Sequence, residues 1–318
     1  MDAVSDDTRQ RTLDLEVRAA WFYYVEGLTQ EQTAQQMNIS RARVIRLLAA
    51  ARDGGVVRIR IDPRGSAQVA LERRLIAAFG LAEAVVVPAP ADEDAVAAVV
   101  GHAAGIFLSE QMRDGLSLGV GWGATLNMSL KALDAAPRER VSVISLLGGM
   151  THSRAVNPSA VARRLADALG ADCYQLTAPL IVADGAVRAL LWAEPGLHEL
   201  DQHARHIDLA LVSVGDVSAE ATLFREGVLP RSELASLAAA GAVGDVLCHF
   251  IDRDGVLVDH PVNQRVIAVD LDALRRVPKL VIASGGRRKA EAIRAALKAT
   301  SAKVLITDET AALRMLGD

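Results

Sequence analysis

The chain has 318 residues, 51 % of them hydrophobic but only 3 % aromatic, and a formal charge of −4. That length allows one to three domains with ample core, which Ala, Val and Leu must build because rings are scarce. The acidic balance excludes a generally basic nucleic-acid coat, so any affinity for DNA has to be local.

The opening residues form neither a basic nor an apolar leader, and no apolar run approaches the ~20 residues that span a bilayer. A cytoplasmic protein with no membrane association is expected. Val17, Ala20, Trp21, Tyr24, Val25 and Leu28 follow helical spacing and predict a first helix, ending near Gly27, that packs through this stripe. A second helix starts at Thr29, with Gln32 three residues on as capping-box partner, and buries Thr33, Ala34 and Met37. Asn38, Ile39 and Ser40 form a turn. From Ser40 a third helix carries Val44, Leu47, Leu48 and Ala51 at i, i+3, i+4, i+7, one apolar stripe. At about 100° per residue, Ala42 and Arg46 then point furthest from the stripe, with Arg41 and Arg43 on its shoulders. Such a face suits a DNA major groove: guanidinium groups hold phosphate or read guanine, and an alanine methyl meets thymine. A small helical hairpin with a solvated basic face would show the same pattern. Charge supports DNA, because residues 30–64 carry seven arginines against three carboxylates, a local +4. After Gly54-Gly55, residues 56–62 alternate apolar and Arg as a short strand, so that Arg58 and Arg60 could touch phosphates as a wing. Pro63 and Gly65 mark a linker, dividing the chain into a DNA-binding helix-turn-helix domain at 1–62 and a second domain at 66–318.

A helix over 69–79 opens the second domain. Strand-like runs follow at 84–87, 116–120, 141–147, 173–176, 207–214, 279–284 and 303–307, interleaved with helices at 94–112, 126–135, 158–169, 288–299 and 309–316. This alternation predicts an α/β fold with a mostly parallel sheet covered on both faces. Ligands bind such sheets at the carboxyl ends of the strands.

Four turns are candidates for that ligand. In the segment 119–125, Gly121 and Gly123 let backbone approach a ligand, and N–H groups with the Thr125 hydroxyl describe a phosphate cradle. Gly119, Gly121 and Ala124 also fit a dinucleotide spacing, but the acidic residue due at the end of the next strand is replaced by Leu146-Leu147-Gly148, so NAD is rejected and no cofactor is expected. Asn157 before Pro158 is a helix cap that could also touch a sugar hydroxyl. Asp245 could accept bonds from hydroxyls or be an ordinary loop carboxylate. At 284–293, Arg287, Arg288 and Lys289 crowd a helix start, where the macrodipole is already positive and an anion would relieve the conflict. His198, His203 and His206 lack metal-ligand spacing and read as a solvated helix; no metal is expected. Cys173 and Cys248 lack motif spacing and read as reduced core residues.

With these residues in view, the chain resembles the SorC family of sugar-responsive bacterial transcriptional regulators over nearly its whole length. The pieces are GLTQEQTAQQMNISRARVIRLLAAAR, GVGWGATL, LLGGM, LTAPL, GAVGDVLCHFIDRDG, SGGRRKAEAIRAAL and VLITDETAALRML, in order. The resemblance implies a non-enzymatic, tetrameric DNA-binding regulator. Its N-terminal helix-turn-helix is of winged type, and its Rossmann-like second domain is similar to glucosamine-phosphate deaminase and ribose-phosphate isomerase. It implies a phosphorylated sugar or polyol as effector, with phosphate on Gly121, Gly123, Ala124, Thr125 and Lys289, hydroxyls on Asn157 and Asp245, and a contribution from Arg225. A sugar-phosphate isomerase or deaminase, a regulator answering to an unphosphorylated polyol, and a ligand-free oligomerisation domain remain as alternatives.

Overall fold

The computed structural model describes residues 3–57, 66–134, 136, 138–151 and 157–318, with backbone alone at 3–11 and 66. The chain divides into two compact units, Met1–Asp62 and Pro63–Asp318. The wing residues Arg58 and Arg60 and the linker lie outside the described residues.

In the first unit, α1 (Ala3–Ala20) continues into a π-helical turn, Trp21–Val25, and is followed by α2 (Gln30–Met37) and α3 (Arg41–Asp53). Both short helices start where capping chemistry places them. Thr29 Oγ1 accepts the Gln32 N–H at 3.2 Å while Gln32 Oε1 accepts the Thr29 N–H at 2.9 Å, and Ser40 Oγ accepts the Arg43 N–H at 3.3 Å. Between them Asn38 takes φ 52°, a left-handed position that asparagine tolerates. Ala34, Val44, Leu47 and Leu48 form a small core with Ala19. The expected stripe on α1 is corrected. Leu15, Ala19 and Tyr23, at i, i+4, i+8, face that core, whereas Val17, Trp21 and Val25 are 46 %, 56 % and 63 % exposed. Two features defeat the simple period: the widened π-turn, closed by the Glu26 N–H on Trp21 O, shifts the register, and the small Ala19 is what lets the helices approach.

The second unit runs α4 (Ser66–Phe79), β1 (Glu83–Val87), α5 (Val96–Gln111), β2 (Ser117–Val120), α6 (Ala124–Ser129), β3 (Ser142–Ser145), α7 (Pro158–Leu169) and β4 (Asp172–Tyr174). Then come α8 (Gly185–Ala193), α9 (Pro195–Ala204), β5 (Leu209–Val212), β6 (Val214–Asp216), α10 (Thr222–Arg225), α11 (Arg231–Ala239), β7 (Gly244–Val246) and β8 (His249–Ile251). It ends with α12 (Leu271–Arg275), β9 (Lys279–Ala283), α13 (Ala290–Thr300), β10 (Val304–Asp308) and α14 (Glu309–Leu316). Seven strands form one sheet in the order β1-β10-β9-β5-β2-β3-β4, with every pair parallel. Alternate side chains feed two cores. Leu118, Val120, Leu209 and Leu211 meet α5, α6 and α7 on one face, and Ala210, Val212, Leu280 and Ile282 join α4, α13 and α14 on the other. Strands β6, β7 and β8 make a separate antiparallel sheet.

The order reverses between β2 and β5: from β2 the chain proceeds outward through β3 and β4, and from β5 it proceeds the other way through β9 and β10. A crevice opens at such a switch point because the crossovers on either side diverge. Close packing then seats α6 beside it. Gly101 and Gly105 of α5 lie against the carbonyl oxygens of Thr125 and Ser129, with no room for a Cβ at either position.

Candidate functional site

A cavity of about 230 Å³ occupies the switch point, at the carboxyl ends of β2 and β5. The turn after β2 supplies Trp122, Gly123, Ala124 and Thr125 to its wall. Gly123, at φ 114°, is the N-cap of α6 in a conformation L side chains rarely adopt. It turns the first N–H groups of α6, which have no acceptor within the helix, toward the open end of the sheet. The turn after β9, on the other side of β5, supplies Gly285, Gly286, Arg288 and Lys289, with Gly286 at φ 93°.

Strand β5 ends at Val212, and after Ser213 the chain changes sheets into β6. This exchange brings two buried carboxylates to the cavity. Asp216 accepts the Ser218 hydroxyl at 2.8 Å, and Asp245, on β7, accepts the Cys248 N–H at 2.9 Å. Gly215 stands opposite Asp245 in the β6–β7 ladder, and a Cβ there would collide with the Asp245 carboxylate. Lys289 is partly exposed as a residue, but its ammonium reaches inward and donates to the Val214 carbonyl at 2.8 Å.

Burial dominates the electrostatics of this group. It pushes the Asp245 carboxyl up to about 6, against the opposing pull of the Cys248 N–H and the Lys289 charge, with Asp216 adding to the rise. Burial also lowers Lys289, while Asp216 and Asp245 hold its proton on. At the rim, Arg288 meets Glu220 at 3.6 Å, an exposed pair of little energetic weight, and Arg225 meets the half-buried Glu226 at 3.5 Å. The arrangement offers backbone N–H groups, an ammonium and guanidinium groups to an anion. Beside them, carboxylates are able to accept hydrogen bonds from hydroxyls.

Of the residues expected at a ligand, Gly123, Ala124, Thr125, Arg225, Asp245 and Lys289 line this one cavity. Gly121 and Asn157 are not among its lining residues. Gly121 donates its N–H to Leu211 O at 2.9 Å and packs against the Leu247 side chain, so it closes the floor of the turn. The Asn157 side chain caps α7, accepting from the Ser159 hydroxyl at 2.8 Å and donating to Met150 O at 2.7 Å. Asp245 belongs to a buried strand rather than a loop, and Arg287–Lys289 form a 3-10 turn ahead of α13. Sequence reasoning missed Trp122, Asp216 and the acidic pair Glu93–Asp94, which also line the cavity. A signal existed for one of them: Val-Gly-Asp occurs twice, at 214–216 and 243–245, and each Gly pairs with the other tripeptide's Asp.

In the first unit Thr29 and Ser40 act as caps and are themselves exposed, while Arg41, Ala42, Arg43 and Arg46 are exposed opposite the buried Val44, Leu47, Leu48 and Ala51. Arg58 lies outside the described residues. Among the described residues, no cluster of three or more His, Cys, Asp or Glu could hold a metal. No helix among them is long and apolar enough to cross a membrane.

Fold and cavity define a mixed α/β sugar-binding protein: residues 64–317 match the family described as "Putative sugar-binding domain". The chain belongs to the SorC family of sugar-binding transcriptional regulators. It is 30 % identical over 305 residues, 95 % of this chain and 96 % of that protein, to the erythritol catabolism regulatory protein EryD of Brucella abortus. It is 32 % identical over 306 residues to the deoxyribonucleoside regulator of Bacillus subtilis, covering 96 % of this chain and 97 % of that one. Among solved structures, a DeoR family transcriptional regulator from Listeria monocytogenes superposes with TM-score 0.72 at 26 % identity, over 77 % of this chain and 98 % of that chain. The full-length sorbitol operon regulator SorC from Klebsiella pneumoniae gives 0.71 at 24 % identity over 98 % and 99 %, a likeness of fold.

Proposed function

We propose that this regulator binds operator DNA through residues 1–62, with α2 and α3 as a helix-turn-helix, and is controlled by a phosphorylated sugar or polyol held in the second unit at 66–318. The observation that carries the reading is the cavity itself. The Gly123–Thr125 turn and Lys289 line it from either side of β5, offering N–H groups and an ammonium to a phosphate, and Asp245 lines it beside them to accept from hydroxyls. The erythritol catabolism regulatory protein and the deoxyribonucleoside regulator among its relatives favour a small polyhydroxylated effector. Because one recognition helix reads only a few base pairs, paired half-sites and hence a homo-oligomer, a tetramer in this reading, are part of the proposal.

The test is operator binding by the full chain, titrated with phosphorylated four- to six-carbon sugars and polyols and with their dephosphorylated counterparts. A change in operator affinity specific to one phosphorylated compound supports the reading; indifference to all of them refutes it. Sedimentation of a monomer that still binds operator specifically would remove the oligomer. One observation favours a second reading. A carboxylate near pKa 6 beside a lysine is suited to proton transfer in a sugar-phosphate isomerase or deaminase. Turnover of the bound compound separates the two, and the binding reading requires that there be none.

A further inference from the structure

The turn that brings Lys289 to the cavity is held from behind by one side chain. Asp308, the last residue of β10, is fully buried, and three backbone N–H groups point at its carboxylate. Oδ1 accepts from Gly286 at 2.6 Å, and Oδ2 accepts from Thr310 at 3.0 Å and from Ala311 at 3.4 Å. The first bond fixes the anion-facing turn; the other two make Asp308 the N-cap of α14. The turn has little freedom around that bond, since a Cβ at Gly285 would strike the Asp308 carboxylate and approach Val100 at 3.0 Å and Val96 at 3.1 Å. The helix is tied in turn to α4: Ala311, Ala312 and Met315 share a core with Leu71 and Leu75, and Arg74 pairs with Asp318 at 2.7 Å. In chain order α4 is the first described element of the second unit.

We propose that Asp308 is the positioning residue that makes the Ser284–Lys289 turn and α14 move as one, so that an anion on the turn is felt at α4. The inference rests on the reading of the cavity as an anion site. A ligand shifts a distant element only by binding its two arrangements unequally, and a rigid link shared by both ends is what couples them. An exposed cap on α14 would satisfy the helix equally well. A buried carboxylate divided between helix and turn ties the one to the other.

Hydrogen–deuterium exchange of the full chain, with and without inorganic phosphate as probe, tests this. In the wild type, phosphate slows exchange in residues 284–289 and also in α14 and α4, by roughly fivefold or more if the coupling is of ordinary size. Asp308→Asn keeps an acceptor for Thr310 and Ala311, so the cap survives, but opposes an amide NH2 to the Gly286 N–H. In that variant, protection stays in the turn and disappears from α14 and α4. The Asp184→Asn change at the N-cap of α8 serves as a control and leaves the wild-type pattern intact. Protection that stops at the turn in the wild type overturns the inference while leaving the anion site standing, and this comparison needs no variant to fold. Protection of α14 in Asp308→Asn equal to the wild type also overturns it. Absence of any phosphate protection at 122–125 and 284–289 removes the site and the coupling together.

Discussion

Arg41, Arg43 and Arg46 in the first unit and Lys289 in the second bear the same charge in opposite settings. The arginines stand exposed on α3, opposite its buried stripe, where water screens them. Lys289 sends its ammonium to the buried Val214 carbonyl, where the charges of Asp216 and Asp245 offset the cost of its burial. An exposed basic face binds a polyanion of any sequence, gaining selectivity only from the few side chains that reach base edges. An inward-turned ammonium lining a crevice selects a small anion by geometry, because it is positioned before the ligand arrives. The comparison predicts that changes at the two places separate cleanly, effector response from operator binding.

Lys289→Ala is the strongest way to break it. Loss of one charge-assisted bond weakens the phosphorylated effector by roughly 1.5–3 kcal/mol, whereas operator affinity without effector is unchanged; calorimetry and fluorescence anisotropy read the two. Asp245→Asn sharpens the same point through pH. A carboxyl raised from its ordinary value to about 6 binds its proton more tightly folded than unfolded, so its contribution to stability falls as pH rises from 4 through 6. The difference in stability between wild type and Asp245→Asn therefore moves in favour of the variant by on the order of 2 kcal/mol between pH 4 and 7. Buried His249, pushed down to about 4, works in the opposite direction: stability present above the ordinary histidine value is lost as pH falls toward 4. The variant retains that slope without its counterweight, and denaturant unfolding at several pH values measures it.

On the DNA side, Arg46→Ala removes base discrimination of roughly 1–3 kcal/mol at its contacted base pair, read against point-mutated operators. Thr29→Ala removes the cap of α2 and half of its capping box, costing the first unit about 1 kcal/mol, with the cavity and its ligand unaffected. Arg43→Ala has the smallest effect, a uniform weakening across sequences and a salt slope reduced by about 1. Equal losses for Arg43 and Arg46 on every operator would dissolve the distinction between them.

How far the sequence carried this picture depended on the range of the interactions involved. All seven strands of the parallel sheet were legible as apolar runs, the inner ones most clearly because both their faces are buried. The Val44–Ala51 stripe and the caps at Thr29 and Ser40 were legible because they are local. The break within the run 207–214 was not legible, since an apolar run cannot tell which partner each half will pair with, and the change of sheets at Ser213 is what forms the cavity wall. Asp216 and the antiparallel sheet were missed for that reason. Trp21 was misplaced because the π-turn that begins there breaks the 3.6-residue period on which its placement rested. Gly121 and Asn157 were read from their turns as ligand contacts, but their hydrogen bonds to Leu211, Ser159 and Met150 depend on local packing that the turns alone do not show. The role of Asp308 could not be read at all, because its partner in the turn is 22 residues away and known only once the strands are in register.

The central claim is that a phosphate on the effector is held between the Gly123–Thr125 turn and Lys289. Isothermal titration of the wild-type chain with one sugar or polyol in phosphorylated and unphosphorylated form tests it most directly. The account predicts measurable binding of the phosphorylated compound and a loss of roughly tenfold or more on removing the phosphate, the worth of at least one charge-assisted bond. Equal affinity for both forms would contradict it and leave the cavity a site for neutral polyols.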